Sequence, residues 1–257
     1  MRAAMRFLAL NLFAATMLAG ATAQAATFSC RETPIVQPVA SLSTLSARVA
    51  QGPSLTILAI GSSSTEGIGA SAKDKTYPAR LRALLGKAWP NLPIEIVNAG
   101  IGGETAPQTL IRLKTALSAR RYDLVIWQVG TNDAVNGGDL GAFKTMVGDG
   151  IAMVKQAGVS LALLDPQFFP GVREPERYRD FVAAIANTAR GQNVPVFTRY
   201  DAMREWYRND AQAFTSALSS DGFHMSDAGY DCLARDMATA LIGMTAPSRA
   251  VMAQTAR

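Results

Sequence analysis

Five short apolar runs punctuate the chain: Leu55–Ile60, Ile94–Asn98, Leu124–Val129, Val159–Leu164 and Val194–Thr198. Each is rich in Val, Ile or Leu, the composition of strands buried on both faces. Between them apolar residues recur at helical spacing. The stretch "YPARLRALLGKAW" sets Leu81, Leu84 and Leu85 on one face with Pro78 in its first turn. "APQTLIRLKTALSAR" does the same with Leu110, Leu113 and Leu117. Leu140–Ala157 and Glu174–Arg190 fill the next gaps, a further helical stretch follows the fifth run, and Tyr230–Ile242 closes the pattern. Strand–helix alternation of this kind implies an α/β fold, a parallel sheet covered by helices on both faces. No repeat or linker divides it, so residues 26–245 are expected to form one domain, which opens with a polar entry segment at 27–52 and is followed by a loose tail at 246–257.

The first residues break this pattern. Arg2 and Arg6 precede an apolar stretch from Phe7 to Gly20, and small residues follow, ending Ala23-Gln24-Ala25. Basic, apolar, then A-x-A is the order of a secretory signal peptide, with cleavage expected after Ala25 and a periplasmic or secreted destination. The apolar stretch is shorter than the ~20 residues a spanning helix needs, and its other reading is an uncleaved anchor. Of 25 Lys and Arg, removing Arg2 and Arg6 leaves 23 against 20 Asp and Glu. That balance is mild and scattered, without the concentrated basic face of a nucleic-acid binder. Cys30 and Cys232 are the only cysteines. In an oxidising compartment they either pair, tying the mature N-terminus to the last helix, or remain two buried thiols. A loop that long gives up to ~5 kcal/mol in the chain-entropy model. With one histidine in the chain and no metal-ligand spacing, no metal site is expected.

In an open, doubly wound sheet the ligand crevice lies beyond the carboxyl ends of the strands. Polar residues that follow strands are therefore the informative ones. The first strand runs into "GSSSTEG" (61–67), the second into "NAGIGGET" (98–105), and the third into "GTND" (130–133). Beyond the fifth comes "SSDGFHMSDAGY" (219–230), with Asp221 and the sole histidine, His224. A serine nucleophile needs a base in hydrogen-bond reach, and the base needs an acceptor to fix its tautomer. The oxyanion formed on attack needs preorganised donors, which glycine-rich backbone and an amide such as Asn132 supply. Taken singly, each segment is also a plausible turn, and Ser226 or Asp227 is most simply the N-cap of the last helix. Asp165, Glu174 and Glu176 read as a strand end and an acidic first helical turn. Taken together, the segments are every part of an acyl-transfer site. Residue types alone leave the three serines at 62–64 equivalent.

Rival motifs fail on spacing. A P-loop would have Gly at Glu66 and Lys after it. "GIGASA" (67–72) starts too far from the strand end for a dinucleotide fingerprint, and Thr65 stands where a nucleophile elbow needs its second glycine.

The four blocks, in order over residues 61–224, resemble those of the SGNH hydrolases, also called the GDSL esterase/lipase family. G-D-S-x corresponds to Gly61-Ser62-Ser63-Ser64, which singles out Ser63 as nucleophile. The N-x-x-x-x-G block implies Gly103 as an oxyanion-hole glycine, G-x-N-D implies Asn132 as the oxyanion-hole amide, and D-x-x-H implies Asp221 and His224 as acid and base. The backbone N–H of Ser63 would complete the oxyanion hole. Ser62 departs from the pattern, standing where the family has Asp. The resemblance implies a three-layer α/β/α sandwich with a flavodoxin-like sheet of five parallel strands in order 2-1-3-4-5. It also implies cofactor-free hydrolysis of a carboxylic ester, short-chain acyl or O-acetyl, through an acyl-enzyme. Phe168 and Phe169, in "DPQFFPG" (165–171), are candidates either to line the acyl pocket or to fill the core. The expected partner is a small-molecule or glycan ester, with no nucleic acid and no stable membrane insertion after leader removal. Two alternatives use the same fold: an O-acyltransferase acting on envelope glycans, and a non-catalytic carbohydrate-binding protein.

Overall fold

The computed structural model describes residues 28–30 and 42–246. The expected signal peptide and the segment beyond 246 lie outside these residues. Five parallel strands form one sheet: β1 (Leu55–Gly61), β2 (Ile94–Gly100), β3 (Leu124–Gln128), β4 (Ser160–Leu164) and β5 (Val196–Phe197), in the order β2-β1-β3-β4-β5. Strand order and parallel pairing are those expected. Among the described residues the helices are α1 (Ser43–Gln51), α2 (Ser63–Glu66), α3 (Tyr77–Ala88), α4 (Ala106–Ala119), α5 (Thr131–Val135), α6 (Leu140–Gln156), α7 (Pro175–Gly191), α8 (Arg199–Asn209), α9 (Ala211–Phe214) and α10 (Asp227–Thr245).

Alternation along each central strand divides the core in two. Leu55, Ile57 and Ala59 of β1, with Leu124 and Ile126 of β3, face one layer of helices: α1, α3, α8, α9 and α10. Leu58, Ile60, Val125 and Trp127 face the other, made of α4, α6 and α7. Each fully buried Leu, Ile, Val or Phe adds about 1.5–3 kcal/mol of transfer free energy, so both layers are anchored to β1 and β3.

Two elements differ from the apolar pattern. β2 is an edge strand and half-exposed along its length, because Glu95 and Asn98 interrupt its apolar residues. α1 lies inside the entry segment read as merely polar; of its nine residues only Leu45 is buried, too little for a periodic signal. Cys30 is bonded to Cys232 of α10, closing a separation of 202 residues. Sheet order reverses between β1 and β3, so the crevice opens above Gly61 and Gln128.

Candidate active site

β1 delivers Gly61 to that crevice, and the chain turns at once into α2. Ser63 is the first residue of α2, so its N–H has no acceptor within the helix. The three serines now part company. Ser62 donates through both its N–H (2.8 Å) and its hydroxyl (3.1 Å) to Gln128 Oε1. Ser64 donates to Gln167 Oε1 at 3.2 Å. Only Ser63 reaches the histidine, its Oγ lying 2.9 Å from His224 Nε2.

Two buried glutamines thus grip the turn from below. Gln128 Oε1 also accepts from Thr65 Oγ1, and Gln167 Oε1 from Thr131 Oγ1, both at 3.2 Å. Nothing in the residue types singled these glutamines out. The available signal was Gln128 itself, a polar residue closing the otherwise apolar "LVIWQ". Ser62 fits this setting as a donor to an amide oxygen.

His224 sits on the loop before α10, and its Nδ1 lies 2.6 Å from Asp221 Oδ2. The other carboxylate oxygen accepts from Ser219 Oγ (2.7 Å) and from the N–H groups of Phe223 and His224 (2.9 Å each). Burial alone would raise the Asp221 pKa; the hydrogen bonds from His224, Phe223 and Ser219 outweigh it and hold the carboxyl well below the usual range. An ionised Asp221 keeps the Nδ1–H tautomer, which leaves Nε2 free to accept from Ser63. The loop closes on itself through Ser219 N–H to the His224 carbonyl (2.8 Å). It is tied to the Ser63 side by the Tyr230 hydroxyl on the Ile68 carbonyl (2.7 Å) and by Asp227, which accepts from Ser71 N–H and Oγ. The α10 N-cap is Ser226, not Asp227.

The end of β2 supplies the glycine loop. Gly100 passes so close to α2 that a Cβ there would lie 1.9 Å from the Glu66 nitrogen. Gly103 takes φ +79° in the turn closed by Glu104 N–H to the Ile101 carbonyl, a position that favours glycine. Glu66 Oε2 accepts from Gly102 N–H at 2.6 Å, whereas Gly103 N–H meets no acceptor among the described residues. Asn132, in α5 beyond β3, gives one amide hydrogen to the Glu104 carbonyl at 2.7 Å. Its second amide hydrogen meets no acceptor among the described residues. The neighbouring Asp133 is buried and accepts from Ala106 N–H, the start of α4, with burial raising its pKa against those bonds. The G-x-N-D block therefore presents one amide to the crevice and anchors a helix with the next residue.

A groove of about 410 Å³ lies alongside, lined by Val135, Phe169, Val172, Tyr178 and Phe223 among others. The Phe223 ring packs edge-on against both Phe169 and His224, each at 4.7 Å. Phe169 therefore lines open space beside the histidine. Phe168 instead packs among Tyr200, Tyr207 and Phe214, and does not line the groove. A larger cavity of about 740 Å³ at the amino ends of the strands, lined by Arg48, Asp123 and Gly158 among others, includes none of these residues.

The description of the non-GDSL lipase-like family matches residues 30–247. The chain belongs to this family of SGNH type. As a non-GDSL lipase-like protein it carries Gly61-Ser62-Ser63 where the G-D-S pattern would have aspartate second. An arylesterase of Vibrio mimicus is 24% identical to it over 137 residues, covering 48% of this chain and 68% of the arylesterase. Two solved structures share the fold. An acetyl xylan esterase superposes with a TM-score of 0.65 at 19% identity, over 73% of this chain and 100% of that one. A two-domain esterase active on acetylated mannans gives 0.64 at 20% identity over 78% of this chain, and the match spans 52% of the two-domain protein. Among the described residues of this family member, no helix is long and apolar enough to cross a membrane.

Proposed function

We propose that the protein is an exported serine esterase that hydrolyses short-chain acyl or O-acetyl carboxylic esters through an acyl-enzyme. The observation that carries this reading is the continuous hydrogen-bonded line Asp221–His224–Ser63, beside which an amide hydrogen of Asn132 and the Gly103 and Ser63 N–H groups meet no acceptor among the described residues. Ser63 Oγ attacks the carbonyl carbon while its proton passes to His224 Nε2. The new oxyanion is met by Asn132 Nδ2 and the Ser63 and Gly103 N–H groups. Collapse breaks the C–O bond to the alcohol, which leaves with the proton from His224. Water then attacks the acyl-serine by the same route, releasing free acid and restoring the serine. Asp221 remains ionised throughout and stabilises the imidazolium.

Three features support the substrate and compartment. The aromatic wall of Phe169 and Phe223 beside His224 suits an aryl group or a sugar ring on the leaving-alcohol side. The similarity to an arylesterase and to esterases of acetylated glycans agrees with a small acyl group. The Cys30–Cys232 bond agrees with export and with loss of residues 1–25 after Ala25, since such bonds persist in oxidising compartments.

An acyl-length series of p-nitrophenyl esters, run beside acetylated glycans, tests the reading. Acetyl esters should turn over fastest, free acid should be the sole acyl product with a glycan acceptor present, and Ser63→Ala should abolish turnover. Acylated acceptor would instead assign transferase activity. An inactive wild-type protein that organophosphonate esters leave unlabelled would favour a non-catalytic carbohydrate-binding role.

A further inference from the structure

Arg112 projects from α4, the helix that follows the glycine loop. Its side chain is partly buried, and all three guanidinium nitrogens donate to protein acceptors. Nε donates to both carboxylate oxygens of Glu104 at 2.9 Å, and Nη2 also reaches that carboxylate. Nη1 donates to the Ala99 carbonyl at 2.8 Å and Nη2 to the Gly61 carbonyl at 3.2 Å. Those two carbonyls end β2 and β1, and the Gly61 carbonyl also accepts from Ile101 N–H at 3.1 Å, at the start of the glycine loop. The chain then closes on the candidate oxyanion amide, because the Glu104 carbonyl is the acceptor that orients Asn132 Nδ2 at 2.7 Å. One planar cation therefore spans the residue before Ser62, both ends of the 99–104 segment, and the backbone that aims Asn132. A guanidinium suits this task because its donors lie in a fixed fork, so carbonyl and carboxylate partners are held in mutual register.

We infer that the Arg112–Glu104 pair is a positioning element for the oxyanion hole, an inference that rests on the esterase reading above. Neither side chain touches substrate. Arg112 pins Glu104, and the Glu104 backbone holds Asn132 so that its second amide hydrogen points where negative charge develops. A donor displaced by a fraction of an ångström still lets the ester bind but loses its advantage in the transition state. The effect should therefore fall on kcat and spare KM.

The test is steady-state kinetics on p-nitrophenyl acetate for Arg112→Ala, Glu104→Ala and Glu104→Gln, each alone and with Asn132→Ala. Arg112→Ala should lower kcat by ~10- to 100-fold, up to the ~100-fold that a misplaced group costs and no more than the lower end of what outright loss of an oxyanion donor costs, with KM nearly unchanged. Glu104→Ala, which keeps its carbonyl but frees the loop, should show the same split and serves if Arg112→Ala does not fold. Glu104→Gln, still an acceptor for the guanidinium, should recover most of the loss. In the Asn132→Ala background the Arg112 substitution should cost little more, because the amide it positions is gone; a purely structural staple would cost the same in both backgrounds. Full kcat in Arg112→Ala or Glu104→Ala, or independent effects in the double variant, would overturn the positioning role while leaving the esterase reading intact. A wild-type protein that neither hydrolyses the ester nor takes a phosphonate label would overturn both.

Discussion

Ser63 stands among buried residues, and is itself only 7% exposed, while Asp221 at the other end of the hydrogen-bonded line leaves 46% of its side chain to solvent. The Ser63 turn is fixed by long-range contacts: Gln128 and Gln167, distant in sequence, take the hydroxyls on either side of Ser63. The Asp221–His224 loop is fixed mostly by itself, with three donors from Ser219, Phe223 and His224 converging on one Asp221 oxygen. The first arrangement draws its rigidity from the core, so disturbing it costs stability and catalysis together. The second draws it from local geometry, so chemistry there can be altered while the fold is left alone.

The strongest way to sharpen this contrast is Asp221→Asn. The amide keeps the shape of the loop but favours the wrong histidine tautomer, so kcat should fall by about 10⁴-fold. Thermal unfolding should change little, since the side chain is half-exposed. A large drop in Tm would erase the proposed difference between the two regions.

Gln128→Ala probes the opposite side. It strands the Ser62 N–H and hydroxyl, while the Thr65 hydroxyl keeps the Tyr77 hydroxyl as partner, and each buried donor left unpaired costs about 1–3 kcal/mol before relaxation. Differential scanning calorimetry should register a Tm loss of about 5–10 °C, accompanied by a roughly 10-fold fall in kcat as the serine turn loosens. Normal stability with lost activity would break the comparison from this side.

Reduction of Cys30–Cys232 should act on stability alone. Cys232 lies on α10, just past the acid–base loop, but that loop has its own bonds and its tie from Tyr230 to the Ile68 carbonyl. Loss of the bridge should lower stability by about 2–4 kcal/mol, with kcat nearly unchanged below the transition. Mass spectrometry of protein exported to the periplasm should find the two thiols joined; free thiols there would remove the bridge from the account.

A further effect is a pH dependence from beneath the crevice. Asp165 is buried at the end of β4, and burial pushes its pKa up to about 8 despite the Tyr200 N–H and the nearby Arg199. The unfolded chain releases this proton near 3.8, the ordinary value. Between those limits the folded protein binds the extra proton, so this residue makes stability fall as pH rises, a slope complete only above about 8. Asp165→Asn should flatten that part of the profile in urea titrations between acid and neutral pH; an unchanged slope would show that Asp165 is ionised when folded.

How legible this site is in the sequence follows from the same contrast. The five strands and five of the helices declare themselves through apolar periodicity, and strand order then locates the crevice above β1 and β3. The residues facing that crevice follow strand ends and belong to polar clusters, so Ser63, Asn132, Asp221 and His224 are visible as candidates. The layer that holds them is not. Gln128, Gln167 and Arg199 are polar side chains in buried positions, and a linear pattern carries no mark of which distant hydroxyl or carbonyl meets them. Arg112 and Glu104 are eight residues apart with a helix start between them, outside any local pairing rule. Phe168 and Phe169 are adjacent and chemically identical, and only the packing sends the first into an aromatic cluster and the second to the groove wall.

On the proposed reading, one serine of three is the nucleophile, selected because its neighbours are tied to buried glutamines. Reaction with a fluorophosphonate, followed by peptide mass spectrometry, tests it directly. We predict a single adduct located on Ser63, absent from Ser63→Ala and formed far more slowly in Asp221→Asn. An adduct on Ser62 or Ser64, or none on a folded protein that still hydrolyses esters, would contradict the account.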